Sequence, residues 1–126
     1  MSLFLILLAA GEGKRLKSTT PKPFCAVNNK TLLEYSIDSF KSFNSIKKTI
    51  IVYNKKHKKH LNKLDLKNTL QIIGGKNRQE STFKALKIIK KMNCKKVLIH
   101  DAARPNPTED LVKNIINKTR SILSNN

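Results

Sequence analysis

The stretch that most limits what this chain can fold into is "LFLILLA", residues 3–9. Seven apolar side chains in a row leave no polar face to turn toward water. A strand with one wet side alternates apolar and polar residues; an unbroken apolar run belongs to a strand covered on both faces, as in a parallel sheet flanked by helices. The surrounding "MSLFLILLAA" could pass for the apolar part of an export signal. It lacks the basic residues that precede such a segment, and it is too short to cross a bilayer. A buried strand accounts for it better, and a cytoplasmic location is the expectation.

The remaining pattern repeats that logic. "KTIIVY" (48–53), "TLQII" (69–73) and "KKVLIH" (95–100) read as three further strands. Residues 31–43 place Leu33, Ile37 and Phe40 on one helical face. Residues 78–91 predict a second helix with Phe83, Leu86 and Ile89 inward, started by Asn77 as N-cap with Glu80 three residues on. Thr108 is read as the cap of a last helix, with Glu109 and Asp110 in its first turn and Leu111, Ile115 and Ile122 on its buried face. A short helix completes the connection between the second and third strands. The alternation predicts an α/β class: a doubly wound, mostly parallel sheet with helices on both faces. With 126 residues, no repeat and no Gly/Ser linker, one domain spanning 1–126 is expected.

In open sheets of this kind, ligands bind outside the carboxyl ends of the strands. The three unusual loops fall there: 9–23 after the first strand, 74–82 after the third and 100–107 after the fourth. Charge sharpens the point. The formal net charge is +18, from 26 basic and 8 acidic residues. Most of the excess is Lys, which serves as generic surface charge. Arg, suited to bidentate phosphate contacts, occurs only at Arg15, Arg78, Arg104 and Arg120, and three of these four lie in the loops just named.

Other functions find less support. The densest basic run, "NKKHKKHLNK" (54–63), has no interleaved aromatic on which bases could stack, and it reads as a solvated connection. His57 and His60 lack a neighbouring Cys, Asp or Glu to complete a metal site. Neither nucleic acid nor membrane is expected as a partner. Cys25 and Cys94 are isolated, as free thiols in a reducing compartment would be. His100 reads as a packing residue. No Ser-His-Asp order or close carboxylate pair points to hydrolysis.

The first loop is "AAGEGKRL", followed by "PK". It lacks the third glycine and the acidic strand end of a dinucleotide fingerprint, and it lacks the Gly-Lys-Ser/Thr of a P-loop. Gly11 and Gly13 would let backbone N–H groups approach phosphate oxygens. Lys14, Arg15 and Lys22 would then surround a polyphosphate, with Pro21 and Pro23 holding Lys22 extended. A tight turn with solvated lysines is the alternative. In "GGKNRQES", Gly74-Gly75 admits a flat ligand and Ser81 offers a hydrogen bond, although a turn and a helix cap would suffice. In "HDAARP", Asp101 lies just past a buried strand and needs a partner: Arg104, a hydroxyl or a metal-bound water. An internal Asp101–Arg104 pair and a ligand role both stay open.

Taken together, "AAGEGKRL…PK", "GGKNRQES" and "HDAARP" resemble the 2-C-methyl-D-erythritol 4-phosphate cytidylyltransferases, among the nucleotidyltransferases that activate sugar and polyol phosphates. The resemblance implies a Rossmann-like nucleotidyltransferase fold. It also implies transfer of CMP from CTP to the polyol phosphate, with pyrophosphate released, in non-mevalonate isoprenoid synthesis. By similarity, Arg15 and Lys22 are the catalytic cations. Ala9, Ala10 and Gly11, with Gly13 and Lys14, line the CTP site. Gly75, Lys76 and Ser81 meet the cytosine, and Asp101, Ala102 and Arg104 meet ribose or substrate hydroxyls. Mg²⁺ is held mainly by the CTP phosphates. Ala102-Ala103 favours the erythritol phosphate over ribitol-phosphate relatives, which tend to carry Gly-Val there. Members of the family continue for about as much chain again, so the expectation is the N-terminal, CTP-binding part of a longer domain that forms a homodimer. A CTP-binding fragment without turnover is the alternative.

Overall fold

The computed structural model describes residues 3–11 and 20–103. Gly13, Lys14, Arg15, Arg104 and the helix expected from Thr108 lie outside the described residues.

Six strands and three α-helices are described. They run β1 (Leu3–Ala9), β2 (Ala26–Val27), β3 (Lys30–Thr31), α1 (Leu32–Phe40), β4 (Ile46–Tyr53), α2 (Lys58–Asn62), β5 (Thr69–Ile73), α3 (Arg78–Lys90) and β6 (Lys96–Asp101). Four of the strands form one sheet in the order β5-β4-β1-β6, with every neighbouring pair parallel. Leu7 stands opposite Ile51 on one side and His100 on the other.

The apolar run of β1 is buried along its whole length. Side chains alternate across a strand, so the run serves two cores. Leu3, Leu5, Leu7 and Ala9 pack with Leu33 and Phe40 of α1 and Leu61 of α2. Phe4, Ile6 and Leu8 pack with Ala85 and Ile89 of α3 and with Cys94. Helices α1 and α2 therefore cover one face and α3 the other. The chain steps outward from β1 to β4 and β5, then returns past β1 to add β6. The predicted α/β class and its four parallel strands are observed. No helix among the described residues is long and apolar enough to cross a membrane, and Cys25 and Cys94 are free thiols.

The helices expected over 31–43 and 78–91 both start with caps, Thr31 by a capping box not foreseen in the sequence and Asn77 as predicted. Thr31 Oγ1 accepts the Glu34 N–H at 3.2 Å, while Glu34 Oε1 accepts the Thr31 N–H at 3.0 Å, a full capping box. Asn77 Oδ1 accepts the Glu80 N–H at 2.8 Å. Ile37 packs against the α1 core and Phe40 is buried within it. His100 sits inside β6 and meets Phe40 edge-on, with ring centroids 5.2 Å apart.

Three expectations are corrected. Phe83 does not face inward: it is 62% exposed, and α3 buries Ser81, Ala85 and Ile89 instead. Small residues let α3 lie close to the sheet, and that turns the large ring outward. The basic run is not a plain solvated connection. It folds into a 3-10 turn, Lys55–His57, leading into α2, and it buries His57 and Leu61. Pro21 and Pro23 do not hold Lys22 extended. Lys22–Phe24 form a 3-10 turn in which the Phe24 N–H donates to the Pro21 carbonyl at 2.9 Å. Proline's fixed φ suits the first turn of a helix.

One element was missed, the β2–β3 hairpin. Asn28 and Asn29 link its strands with φ of 54° and 66°, left-handed values that Asn tolerates better than most residues. Lys30 of this hairpin pairs with Asp38 of α1, which Lys41 also approaches at 3.1 Å. Partial burial pushes the Asp38 carboxyl upward, but the hydrogen bonds from Lys30 and Lys41 outweigh that and hold it below its ordinary 3.8.

Two measurements check this packing. Leu7→Ala is expected to cost about 2–5 kcal/mol in urea unfolding, whereas Phe83→Ala changes stability by no more than about 0.5 kcal/mol. The lowered carboxyl makes the Asp38 contribution fully present above its unfolded value and lost as pH falls through its folded value. Asp38→Asn therefore removes a small part, about 0.5 kcal/mol, of the stability difference between pH 6 and pH 3.

Candidate active site

Because the four sheet strands are parallel, β1, β4, β5 and β6 all end at the same edge. A cleft of about 790 Å³ lies there. Its wall is built from Leu8, Ala10 and Gly11 at the β1 exit, Asn54 and Lys56 after β4, and Asp101 at the end of β6. The β5 exit and first turns of α3 supply Gly74, Gly75, Lys76, Asn77, Arg78, Glu80, Ser81 and Lys84. All three loops singled out in the sequence thus contribute to one site.

The β5 exit is the tightest part. The Gly74 N–H donates to the Tyr53 carbonyl at 2.7 Å. A methyl group on Gly74 would stand 2.7 Å from both Ala10 Cβ and Ser81 Oγ, and 3.1 Å from Val52 Cγ1. Those atoms belong to three different elements, so only glycine lets the chain pass between them. At the next residue, the Gly75 N–H donates to Ser81 Oγ at 2.9 Å. Ser81 is almost fully buried. Its hydroxyl holds the glycine turn in place rather than standing free in the cleft. Lys84 Nζ reaches the Gly74 carbonyl at 3.4 Å from the exposed side.

The β6 exit gives Asp101 one partner among the described residues. Asp101 Oδ1 accepts the Ala103 N–H at 2.9 Å, which closes the turn after the strand. Asp101 still lines the cleft. Ala102 is fully buried, its N–H donates to the Leu8 carbonyl at 3.0 Å, and its carbonyl accepts from Ser36 Oγ at 2.8 Å. Its backbone is committed to the fold, so a ligand-contact role for Ala102 is not what the geometry favours. Ala9 likewise lies in the core, one residue short of the wall.

Of the predicted site residues, Ala10, Gly11, Gly75, Lys76, Ser81 and Asp101 come together in the cleft. Lys22 is exposed and stands off the described wall. Its segment is anchored by Phe24, whose ring stacks on His60 with centroids 5.4 Å apart. Residues not foreseen as site residues are Asn54, Lys56, Asn77, Arg78, Glu80 and Lys84. Arg78 already stood out among the few arginines, but nothing local marks Asn54 or Lys56.

Four cations on the wall, Lys56, Lys76, Arg78 and Lys84, outnumber the two carboxylates, Glu80 and Asp101. That balance of charge suits an anion. Among the described residues no group of three or more His, Cys, Asp or Glu could hold a metal ion. One carboxylate, Asp101, fits a hard cation whose remaining ligands are phosphate oxygens and water.

A family model of 2-C-methyl-D-erythritol 4-phosphate cytidylyltransferase (IspD) matches residues 3–124. The chain belongs to this family. It is 48% identical over 120 residues to a bifunctional enzyme IspD/IspF of Pelagibacter ubique, covering 95% of this chain and 32% of that protein. It is 40% identical over 125 residues to a 2-C-methyl-D-erythritol 4-phosphate cytidylyltransferase of Wigglesworthia glossinidia brevipalpis, covering 97% and 52%. Among solved structures, the bifunctional IspDF of Campylobacter jejuni superposes with a TM-score of 0.77 at 30% identity, covering 93% of this chain and 30% of that one. The chain thus spans about a third to about half of the length of these curated relatives. For this IspD-family chain the Rossmann-like α/β fold follows from both sheet topology and likeness.

The two glycines of the cleft are expected to respond differently to the same change. Gly74→Ala should lower stability by about 1–3 kcal/mol through overpacking. Gly11→Ala, where an added methyl meets no described atom within 4 Å, should leave it within about 0.5 kcal/mol. Thermal melts of the two variants check the contrast.

Proposed function

We propose that this chain forms the CTP-binding part of a cytidylyltransferase that moves CMP from CTP to 2-C-methyl-D-erythritol 4-phosphate and releases pyrophosphate. The observation that carries the reading is the meeting of three sequence-distant loops in one cationic cleft, in a chain of this family. A phosphate oxygen of the polyol phosphate attacks the α-phosphorus of CTP. The bond from the α-phosphorus to the bridging oxygen breaks, and its electron pair leaves with pyrophosphate. Such a displacement needs positioning in line and stabilisation of the negative charge that gathers on the α-phosphoryl oxygens.

Each residue has a part in this reading. Gly75 and Lys76 present backbone groups to the cytosine, while Ser81 fixes Gly75. Ala10, Gly11 and Gly13 carry the phosphates, with Lys14 beside them. Arg15 brings a planar fork to the α-phosphoryl group. Lys22 brings a point charge on a four-carbon stem that must reach inward from its exposed turn. Asp101 and Arg104 serve ribose or substrate hydroxyls. Mg²⁺, held by the CTP phosphates with Asp101 as the carboxylate at hand, would supply charge neutralisation. The unit 1–126 acts as one nucleotide-binding domain of a longer, homodimeric, cytoplasmic enzyme. A ribitol-phosphate substrate is the competing polyol reading.

The test is pyrophosphate release from CTP and 2-C-methyl-D-erythritol 4-phosphate, with ribitol 5-phosphate and ATP as alternative substrates. The expected result is turnover only with CTP and the erythritol phosphate. Arg15→Ala and Lys22→Ala should each lower kcat by about 10²–10³ and leave the Kd for CTP within a few-fold. CTP binding without pyrophosphate release would reduce the unit to a binding module. No preference for CTP over ATP would remove the cytidylyl reading.

A further inference from the structure

Asn54 follows β4 directly, and its side chain crosses to the exit of the neighbouring central strand. Its Nδ2 donates to the Ala10 carbonyl at 3.2 Å. Its Oδ1 accepts the Lys56 N–H at 2.9 Å. Both ends of one half-buried side chain are used, one across strands and one within its own turn.

The peptide gripped by Asn54 is the one that joins Ala10 to Gly11. There is no cis peptide bond among the described residues, and a trans peptide is a rigid plane with C=O and N–H pointing opposite ways. Fixing the Ala10 carbonyl toward the β4 side therefore aims the Gly11 N–H away from β4. In the strand order β4-β1-β6, that is the side on which β6 ends in Asp101. Two residues earlier the Leu8 carbonyl accepts the Ala102 N–H and so faces β6. An uninterrupted strand would aim the Ala10 carbonyl at that same neighbour. The Asn54 bond thus marks where the peptide turns over as the chain leaves the sheet. Gly11 is exposed on the cleft wall, and an added Cβ there would meet no described atom within 4 Å.

We propose that Asn54 is a positioning residue for nucleotide binding: by holding the Ala10 carbonyl, it aims the Gly11 N–H as the first backbone donor of the glycine loop to a phosphate of the bound triphosphate. The inference rests on the CTP reading above and adds to it a residue outside the three motif loops. Both polar ends of the Asn54 side chain are bonded to the fold, so its effect is expected on the part of the ligand that Gly11 meets.

The experiment is an NMR titration of the ¹⁵N-labelled chain, which reads affinities down to the millimolar range, with CTP, tripolyphosphate and cytidine at one salt concentration. Two variants separate the two ends of the side chain. Asn54→Ala removes both bonds. Asn54→Ser keeps an oxygen that can cap the Lys56 N–H but is too short to reach Ala10. Both variants are expected to bind CTP and tripolyphosphate about ten-fold more weakly, the size of one charge-assisted hydrogen bond, with cytidine affinity unchanged; Asn54→Ser, which keeps the cap, should melt close to the wild type and Asn54→Ala slightly below it. Equal losses for CTP and cytidine would make Asn54 merely structural and overturn the proposal. So would wild-type CTP affinity in Asn54→Ser. Wild-type chain that binds neither CTP nor tripolyphosphate would overturn the parent reading as well, whereas wild-type binding with unaltered variants would overturn only the role of Asn54.

Discussion

Everything in this molecule depends on the complete burial of β1. The residues from Leu3 to Ala9 cannot face water on either side, and parallel neighbours close both edges of the strand. Covering two faces requires helices on both, so the chain must place α1 and α2 on one side and α3 on the other. Parallel pairing then brings every strand exit to a single edge. The cleft is a consequence of that wiring: loops 9–23, 74–82 and 100–107 need no attraction for one another to meet, because the strands that carry them already run the same way.

The detail of the cleft comes from size rather than from charge. Helix α3 presents Ser81 and Ala85 to the sheet, and small side chains let its first turn press against the β5 exit. That pressure leaves room only for glycine at position 74. It also puts the Ser81 hydroxyl where it can hold the Gly75 N–H. The cations of the wall are a small selection from a chain with a formal charge of +18, so the net charge says little about the ligand while the position of Lys76, Arg78 and Lys84 says more.

Much of this was legible in the sequence, and the reasons are physical. A seven-residue apolar run, the Asn77 cap and three further β-rich segments are local signals, and the structure has the strands and the helix start they predict. Phe83 was misread because periodicity identifies apolar faces by size. The true buried stripe of α3, Ser81, Ala85 and Ile89, is weakly apolar, and its close approach to the sheet is a tertiary effect. The β2–β3 hairpin hides in "AVNNKT", where two asparagines in left-handed conformation do what Asn-Gly does in plainer hairpins. Asn54 and Lys56 could not be found from their neighbours. They belong to a lysine-rich stretch that composition explains, and only the pairing of β1 with β4 brings Asn54 beside Ala10 and both residues to the cleft wall.

The most direct measurement is a crystal structure of the chain with CTP bound. The account predicts cytosine against the Gly74-Gly75 turn and the triphosphate beside Gly11, at the carboxyl edge of the sheet and on the side of Asp101. Nucleotide seated at the amino edge, in the groove between α1 and the start of β5, or lying in the cleft with its phosphates directed away from Gly11, would contradict it.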